Sequence, residues 1–326
     1  MKKLLFMLVS LSLVFVAACS SQSSGEGKEF PTKNIEIVAP ATPGGGWDTT
    51  ARSMKKVLSG NELVEKPISV VNKPGGSGEV GWKYLKSKDG HNLAIDSSLL
   101  ITNNLLGQSK LTHEDFTPIA TLTTEWMALG VPADSKFKSA SELMEQLKKD
   151  PSSLKIAIAP GLGNDAHLSF VQACILAGVD VSKLEFLIYG SGGDQITALV
   201  GGHVDAAMMS VSELEQQYKA DKVDILAVTS GERLDKLKDV PTWKEQGIDM
   251  VFPHWRGVIG PPDMSEEAIA YWDKKIGEMV KSDEWKEVLK NNQWESFYKD
   301  SAETKTFLKE ESEKYGKLLK SAGLIE

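Results

Sequence analysis

The chain has few of the residues that several common functions require. Its 326 residues include two cysteines, Cys19 and Cys174, which excludes a framework of several disulfides. Three arginines and a formal net charge of −8 leave no basic run that could neutralise a phosphate backbone. Nucleic-acid binding is therefore not expected. Any anion-binding site in so acidic a chain has to be built locally, because the net charge does not attract anions.

Patterns of catalysis and metal binding are also missing. Pro43–Gly46 lacks the Gly-Lys-Ser/Thr end of a phosphate-binding loop. The five histidines show no metal-ligand spacing, and Gly76–Gly78 and Gly190–Gly192 do not complete the Gly-x-Ser-x-Gly pattern of a hydrolase. Gly161–Ala166 fits a loose dinucleotide pattern, but no acidic residue ends the next strand to hold a ribose. These patterns give no support to an enzyme, a metal or a cofactor.

The N-terminal segment is typical of targeting and tethering sequences. Two lysines precede an apolar run from Leu4 to Ala18, which is too short to span a bilayer. The run ends in small residues before Cys19 and resembles a bacterial lipobox, so we expect cleavage after Ala18 and a lipid on Cys19. Ordinary secretion with cleavage near Ala18 is the alternative. Residues 1–18 are predicted to be a lipoprotein signal peptide and residues 19–30 a flexible, serine-rich tether.

A lipid on Cys19 would place the mature chain outside the cytoplasm, anchored to the bacterial cell membrane. It would also leave Cys174 without a disulfide partner. Cys174 lies in an apolar helical run, which predicts a buried and inert thiol. Without disulfides the fold depends on its core, and the mature length suffices for two domains.

The stretch from Ile35 to Arg52 predicts a strand, a glycine-rich turn and the start of a helix. Ile35–Ala39 is short and mostly β-branched, two prolines stop it, and three glycines then free the backbone. Asp48 is the expected N-cap of the helix. Unpaired N–H groups at such a helix start form an anion-binding site. A plain strand-to-helix turn is the alternative.

The same order of strand, glycine-rich loop and helix recurs along the chain. Further strands are predicted at residues 67–71, 92–95, 155–159, 186–189 and 204–208. Ile119–Val131 is expected to cross out of the first unit, and Ile225–Thr229 could cross back. Pro241–Gly247 is predicted to be a short helix, and the chain beyond Pro262 is predicted to be helical. The pattern favours two α/β lobes whose glycine-rich loops face a ligand cleft.

Six stretches, in order, resemble the extracytoplasmic solute receptors of tripartite tricarboxylate transporters, also called Bug-type receptors. These stretches are 43–52, 72–81, 161–168, 191–205, 226–229 with 240–247, and 255–261. The resemblance implies a type II periplasmic-binding-protein fold, with two α/β lobes joined by two crossing segments and closing on a small carboxylated solute. Lobe 1 is expected at 31–125 and 232–326, and lobe 2 at 126–231. We expect a monomer.

The resemblance also implies a set of ligand-binding residues. In the family a ligand carboxylate lies between the glycine-rich loops of the two lobes, held by backbone N–H groups, hydroxyls and water. Carried over by position, the expected residues are Gly45, Gly46, Trp47, Asp48 and Thr49 in a first clamp, Gly163, Asn164, Asp165 and His167 in a second, and Ser98, Tyr189, Ser191 and Asp205 in the wall. Asp48 is expected to cap its helix rather than touch an anion, since like charges repel.

Trp47 departs from the family pattern, because many relatives have a small residue or threonine there. A tryptophan can stack on a ligand, donate one N–H and narrow the pocket. It can also simply pack under the loop. The departure weakens an inference to citrate and leaves a neutral or aromatic solute open.

The sequence therefore predicts a lipid-anchored receptor that captures a di- or tricarboxylate. The receptor would deliver this solute to the permease subunits of a membrane transporter and perform no chemistry. Three alternatives remain: a receptor for a neutral or aromatic solute, an extracytoplasmic enzyme of similar fold, and a ligand sensor whose partner is a two-component kinase.

Overall fold

The computed structural model describes residues 30–159 and 161–326 of the chain. The predicted signal peptide, Cys19 and nearly all of the tether lie outside these residues. The strands are β1 (Ile35–Ala39), β2 (Ile68–Asn72), β3 (Asn92–Asp96), β4 (Thr117–Pro132), β5 (Lys155–Ile158), β6 (Glu185–Ile188), β7 (Ala206–Ser210), β8 (Val223–Val228), β9 (Pro253–Gly260) and β10 (Glu295–Lys299). The helices are α1 (Gly46–Gly60), α2 (Glu79–Lys86), α3 (Ser98–Leu105), α4 (Ala140–Lys149), α5 (Asp165–Ala177), α6 (Gly192–Val200), α7 (Val211–Lys219), α8 (Glu266–Met279), α9 (Asp283–Asn292) and α10 (Ser301–Ser321).

The strands form a mixed sheet in the order β2-β1-β3-β9-β4-β7-β5-β6, while β8 and β10 also pair with β4. β1 pairs in parallel with β2 and β3, and β5 pairs in parallel with β6 and β7. β9 runs antiparallel to both β3 and β4. Each parallel group therefore presents the carboxyl ends of its strands, and the loops that follow them, at one edge.

The long strand β4 is shared by two groups of strands. As far as Trp126 it pairs with β9, and this first half also pairs with β10. From Met127 onward it pairs with β7 and β8. β4 thus carries the chain from one group of strands to the other, and the chain returns between β8 and β9.

Apolar helix faces cover the sheet. α1 buries Ala51, Met54, Val57 and Leu58, a spacing of three and four residues that places them on one face. Burying one large aliphatic side chain stabilises the fold by roughly 1.5–3 kcal/mol.

Strand β9 is attached to the C-terminal helix. The indole Nε1 of Trp255 donates to the hydroxyl of Tyr315 on α10 at 3.1 Å, and both side chains are fully buried. Alternation along a strand sends the next residue, Arg256, to the opposite face of the sheet. The Trp255 anchor therefore fixes where Arg256 lies.

Most predicted elements are present, but three predictions about local structure are wrong. The N-cap of α1 is Gly45, not Asp48. Pro241–Gly247 contains only a 3-10 turn, Lys244–Gln246. The chain beyond Pro262 is not wholly helical, because β10 pairs with β4. The burial of Cys174 is confirmed, and burial raises the pKa of its thiol well above the ordinary value.

Two helical glycines give a matched test of packing. A Cβ at Gly81 of α2 would lie 2.6 Å from the Cβ of Pro40, whereas a Cβ at Gly316 of α10 would meet nothing within 4 Å. We expect Gly81→Ala to destabilise the fold by about 1–3 kcal/mol through overpacking. Gly316→Ala is expected to stabilise it by about 0.5–1 kcal/mol, because alanine restricts the unfolded chain. Urea denaturation measures both, and equal effects would contradict the packing argument.

Candidate functional site

A cavity of about 340 Å³ lies where the two groups of strands face each other. Helices α1, α3, α5, α6 and α7 all begin at its wall. The first N–H groups of a helix have no partner within the helix, and this end carries a partial positive charge. The cavity wall therefore carries several sets of hydrogen-bond donors and several positive dipole ends, although the chain as a whole is acidic.

The start of α1 has no capping side chain. The carboxylate of Asp48 instead accepts hydrogen bonds from the N–H of Gly44, Nε of Arg52 and Nδ2 of Asn72, each at 2.8 Å. Burial alone would raise the pKa of Asp48, but these bonds bring it below its usual value. Asp48 thus holds the glycine-rich turn, and Gly45, Gly46 and Trp47 at the start of α1 line the cavity.

The start of α3, like that of α1, has no capping side chain. Its N-cap, Ser97, makes no side-chain capping bond, and Ser97 and Ser98 are both buried at the cavity wall. Their hydroxyls and the first N–H groups of α3 add donors beside those of α1.

The start of α5 is capped from within its own loop. The side chain of Asn164 accepts from the N–H of His167 at 2.9 Å, and the N–H of Gly163 donates to Nδ1 of His167 at 3.0 Å. His167 is buried against Phe186. Burial lowers the pKa of His167 to about 4, so its ring is neutral at pH 7 and Nδ1 can accept. Gly163 and His167 shape the loop, while Asn164 and Asp165 line the cavity.

Helices α6 and α7 contribute capped starts. The hydroxyl of Ser191 accepts from the N–H of Asp194 at 3.2 Å and donates to its carboxylate at 2.8 Å. Ser210 and Glu213 form a capping box at α7, with the Ser210 hydroxyl 2.9 Å from Glu213 Oε2. The carboxylate of Glu213 is therefore paired with the dipole of α7.

A buried charged cluster joins strands β4 and β9 to the start of α5. Glu125 accepts from Nη2 of Arg256 at 3.0 Å and from the hydroxyl of Ser212 at 3.2 Å. Nδ1 of His254 donates to Asp165 at 2.5 Å, and its Nε2 lies 3.5 Å from Glu125. Burial alone would raise the pKa of Glu125, but the charges of Arg256 and His254, with hydrogen bonds from Arg256 and Ser212, bring it below the usual value.

The glycines of the first loop have different physical roles. Gly44 has a φ of 89°, which favours glycine. At Gly45 a Cβ would meet only the carbonyl oxygen of Thr42 at 3.7 Å. At Gly46 a Cβ would lie 2.3 Å from Nη2 of Arg256. The guanidinium of Arg256 therefore occupies the space that a side chain at Gly46 would take, and a Cβ there would displace it.

The structure brings about half of the expected site residues to one cavity. Those that line it are Gly45, Gly46, Trp47, Ser98, Asn164, Asp165 and Ser191. Asp48, Gly163 and His167 hold the loops instead, and Thr49 bonds the carbonyl of Gly45 through its N–H.

Tyr189 and Asp205 do not line the cavity. Tyr189 packs against the apolar core between α6, α7 and the sheet. The carboxylate of Asp205 accepts from the N–H of Lys155 at 2.8 Å, at the amino end of β5. Loops that bind ligands follow the carboxyl ends of parallel strands, and Asp205 precedes its strand.

Trp47 combines both arrangements considered from the sequence. It lines the cavity, and it packs edge to face on Trp82 with 5.5 Å between ring centroids. The opposite wall includes Met127, Met208 and Met209, whose flexible thioether side chains adapt to different solutes.

Sequence reasoning missed Glu125, His254 and Arg256. Glu125 and Arg256 are 131 residues apart in the sequence, so no local motif connects them. One feature of the sequence points to Arg256: it is one of only three arginines, and it lies in a mostly apolar stretch that is typical of a strand.

Within the described residues no three His, Cys, Asp or Glu side chains are grouped so that they could hold a metal ion. None of the helices in these residues has the length and apolar character needed to cross a membrane.

Comparison with known families identifies this arrangement. The profile of the tripartite tricarboxylate transporter family receptor, TctC, matches residues 51–324. The chain belongs to this receptor family. The family consists of solute-binding receptors rather than enzymes, and it places the chain outside the cytoplasm.

Individual relatives agree with this assignment. The receptor is 30% identical over 270 residues to a UPF0065 protein encoded in the tcbD-tcbE intergenic region of Pseudomonas sp. strain P51, covering 80% of this chain and 78% of the relative. A TctC solute-binding protein from Polaromonas, solved without ligand, is 26% identical with a TM-score of 0.73, covering 89% of this receptor and 99% of that chain. The R. palustris protein Rpa4515, solved with adipate, is 22% identical with a TM-score of 0.79, covering 90% and 99%. The two-lobe periplasmic-binding-protein fold is confirmed.

The buried His167 predicts a pH dependence of stability. Its pKa is about 4 in the folded receptor, against about 6.5 for an ordinary histidine. The unfolded chain therefore binds a proton between these values and the folded receptor does not. Stability is fully present above about pH 6.5 and falls toward pH 4 by up to about 1.4 kcal/mol per pH unit.

His167→Asn tests this dependence, because an asparagine oxygen can accept from Gly163 without titrating. Urea denaturation at several pH values is expected to show a shallower slope in this variant. The exposed His203→Asn serves as control and should keep the wild-type slope. Equal slopes for all three proteins would contradict the assignment.

Proposed function

We propose that this receptor captures a small di- or tricarboxylate in the cavity and delivers it to the permease subunits of a tripartite transporter. The observation that supports this most is the uncapped start of α1, which faces the cavity beside the guanidinium of Arg256. Charge-assisted hydrogen bonds contribute about 1.5–3 kcal/mol each. Micromolar binding requires a free energy of roughly −8 kcal/mol. A few such hydrogen bonds supply it only if the site is preorganised, because ordering the loops on binding would cost free energy.

Acidic residues at the cavity do not argue against an anionic ligand. Glu213 is paired in the capping box of α7, Glu125 with Arg256 and Ser212, and Asp165 with His254. Each carboxylate thus has a local donor. The cavity of about 340 Å³ is near the lower end of small-molecule sites, which favours a compact acid.

We assign the ligand contacts to the predicted residues that line the cavity. These are Gly45, Gly46, Trp47, Ser98, Asn164 and Ser191, with the backbone N–H of Asp165, whose carboxylate is paired with His254. The adipate-bound structure of Rpa4515 supports a carboxylate as the ligand class.

Lobe closure accompanies capture in this proposal. Lobe 1 comprises residues 31–125 and 232–326, and lobe 2 comprises residues 126–231. The change of pairing partners within β4, at Trp126 and Met127, supports this division. A solute that contacts helix starts on both sides of the cavity favours the closed population, which the permease would recognise.

A ligand panel tests the proposed function. Residues 26–326 are purified, refolded from denaturant to remove bound solute, and heated with adipate, malate, succinate, citrate, glucose or nicotinamide. At 100 times its dissociation constant a ligand stabilises the receptor by about 2.7 kcal/mol. We expect a raised Tm with one or more of the acids and none with glucose or nicotinamide.

A raised Tm with nicotinamide alone would instead favour an aromatic, neutral solute. Trp47 and the methionine wall are the observations that would explain this second candidate. Stabilisation by glucose, or by none of the acids, would contradict carboxylate capture.

We also propose that the receptor is held at the cell membrane by a lipid on Cys19. Cys19→Ser is expected to move the full-length protein from the membrane fraction to the soluble fraction, because it removes the acylated thiol. Cys174→Ala removes the other cysteine of the chain and should leave the protein in the membrane fraction. Equal fractionation of Cys19→Ser and wild type would contradict lipidation.

A further inference from the structure

Arg256 lies beside the uncapped start of α1. It is opposite Thr123 in the pairing of β9 with β4, it is 7% exposed, and it lines the cavity. A Cβ at Gly46 would meet Nη2, Cζ and Nε of its guanidinium at 2.3, 2.9 and 2.9 Å. The guanidinium therefore packs directly on the first residue of α1.

This guanidinium is only partly hydrogen-bonded. Nη2 donates to Glu125, whereas Nε and Nη1 are buried and have no partner among the described residues. The guanidinium of Arg256 lies over the ring of Trp294, with 5.8 Å between Cζ of Arg256 and the ring centroid. Buried donors without acceptors destabilise a protein, and a carboxylate matches the fork of a guanidinium. The unmet donors therefore point to an anionic group from outside the chain.

Arg256 is also the one lysine or arginine among the residues that line the cavity in the described part of the chain. The other two arginines are paired elsewhere and exposed: Arg52 with Asp48, and Arg233 with Glu245. An acid that enters the cavity thus meets a single permanent positive charge.

We propose that Arg256 binds a carboxylate of the solute directly, together with the first N–H groups of α1, and that Gly46 is a glycine so that this guanidinium can reach them. The inference rests on the proposed capture of a carboxylate and names the residue that recognises it. Arg256 makes the receptor select an ionised carboxylate over the neutral amide of the same shape.

The competing explanation is that Arg256 only neutralises Glu125. Arg256→Gln alone does not separate the two roles, because it leaves the buried carboxylate of Glu125 unpaired and can unfold the protein. The double variant Glu125→Gln with Arg256→Gln removes both charges and keeps a pair of amides. It is therefore expected to fold with a Tm close to that of the wild type.

Titration calorimetry with adipate, malate, succinate and citrate, and with the monoamides of adipate and succinate, tests the proposal. We expect the wild type to bind at least one acid, and a dicarboxylate that binds to do so at least 10-fold more tightly than its monoamide. The double variant should bind that acid about 10- to 100-fold more weakly and lose the preference for acid over amide. Arg233→Gln, the exposed control, should bind as the wild type does.

Glu125→Gln alone adds a second readout. It removes the competing carboxylate and leaves the guanidinium in place, so it is expected to bind the acid more tightly than the wild type. Because Glu125→Gln also relieves repulsion of an anion by a carboxylate in the cavity wall, the gain supports a direct contact only if the double variant loses it.

The outcomes separate the two proposals. If the wild type and the double variant bind an acid equally well, the role of Arg256 is overturned while carboxylate capture stands. If the wild type binds none of the acids, both proposals are overturned.

Discussion

The site depends on one constraint: parallel strands send the helices that follow them from the same edge of the sheet. Because each helix begins there, its unpaired N–H groups and positive dipole end lie at that edge. Here the starts of α1 and α3 from one group of strands face those of α5, α6 and α7 from the other. This arrangement gathers many hydrogen-bond donors at the cavity without requiring a basic chain, although the net charge is −8.

The residues at the helix starts differ in whether their side chains cap the helix or leave its first N–H groups unpaired. Asp48, Asn164 and Ser191 all lie at helix starts, yet they have different roles. Asp48 turns away and holds the loop, while Asn164 and Ser191 cap their helices at the cavity wall. A capped helix start keeps its dipole but has fewer N–H groups to offer. The uncapped starts of α1 and α3 are thus the stronger donors, and the capped starts define the shape of the opposite wall.

The charged cluster shows how the sheet brings distant residues into one network. Glu125 on β4 and Arg256 on β9 meet because these strands pair, and His254 extends the contact to Asp165 at α5. Isolated charges at this depth would destabilise the fold by several kcal/mol each. Pairing reduces that penalty and leaves a guanidinium with unmet donors beside Gly46. The cluster also connects β4 and β9 to the starts of α5 and α7, so it links the cavity wall to the region where β4 changes partners.

The sequence by itself determined the order of most strands and helices, the parallel units and the glycine-rich loops, because these depend on local periodicity and turn chemistry. It indicated the receptor family through the resemblance of six stretches in order. Gly45, Trp47, Asn164 and Asp165, which it proposed as ligand contacts, line the cavity. Only the tertiary structure decided that Gly46 is a glycine for Arg256, that Asp205 lies at the wrong end of its strand, that β10 joins the sheet, and that Glu125 meets Arg256. The physical reason is that these features arise from pairing between segments far apart in the chain, and sequence periodicity does not specify which strands pair.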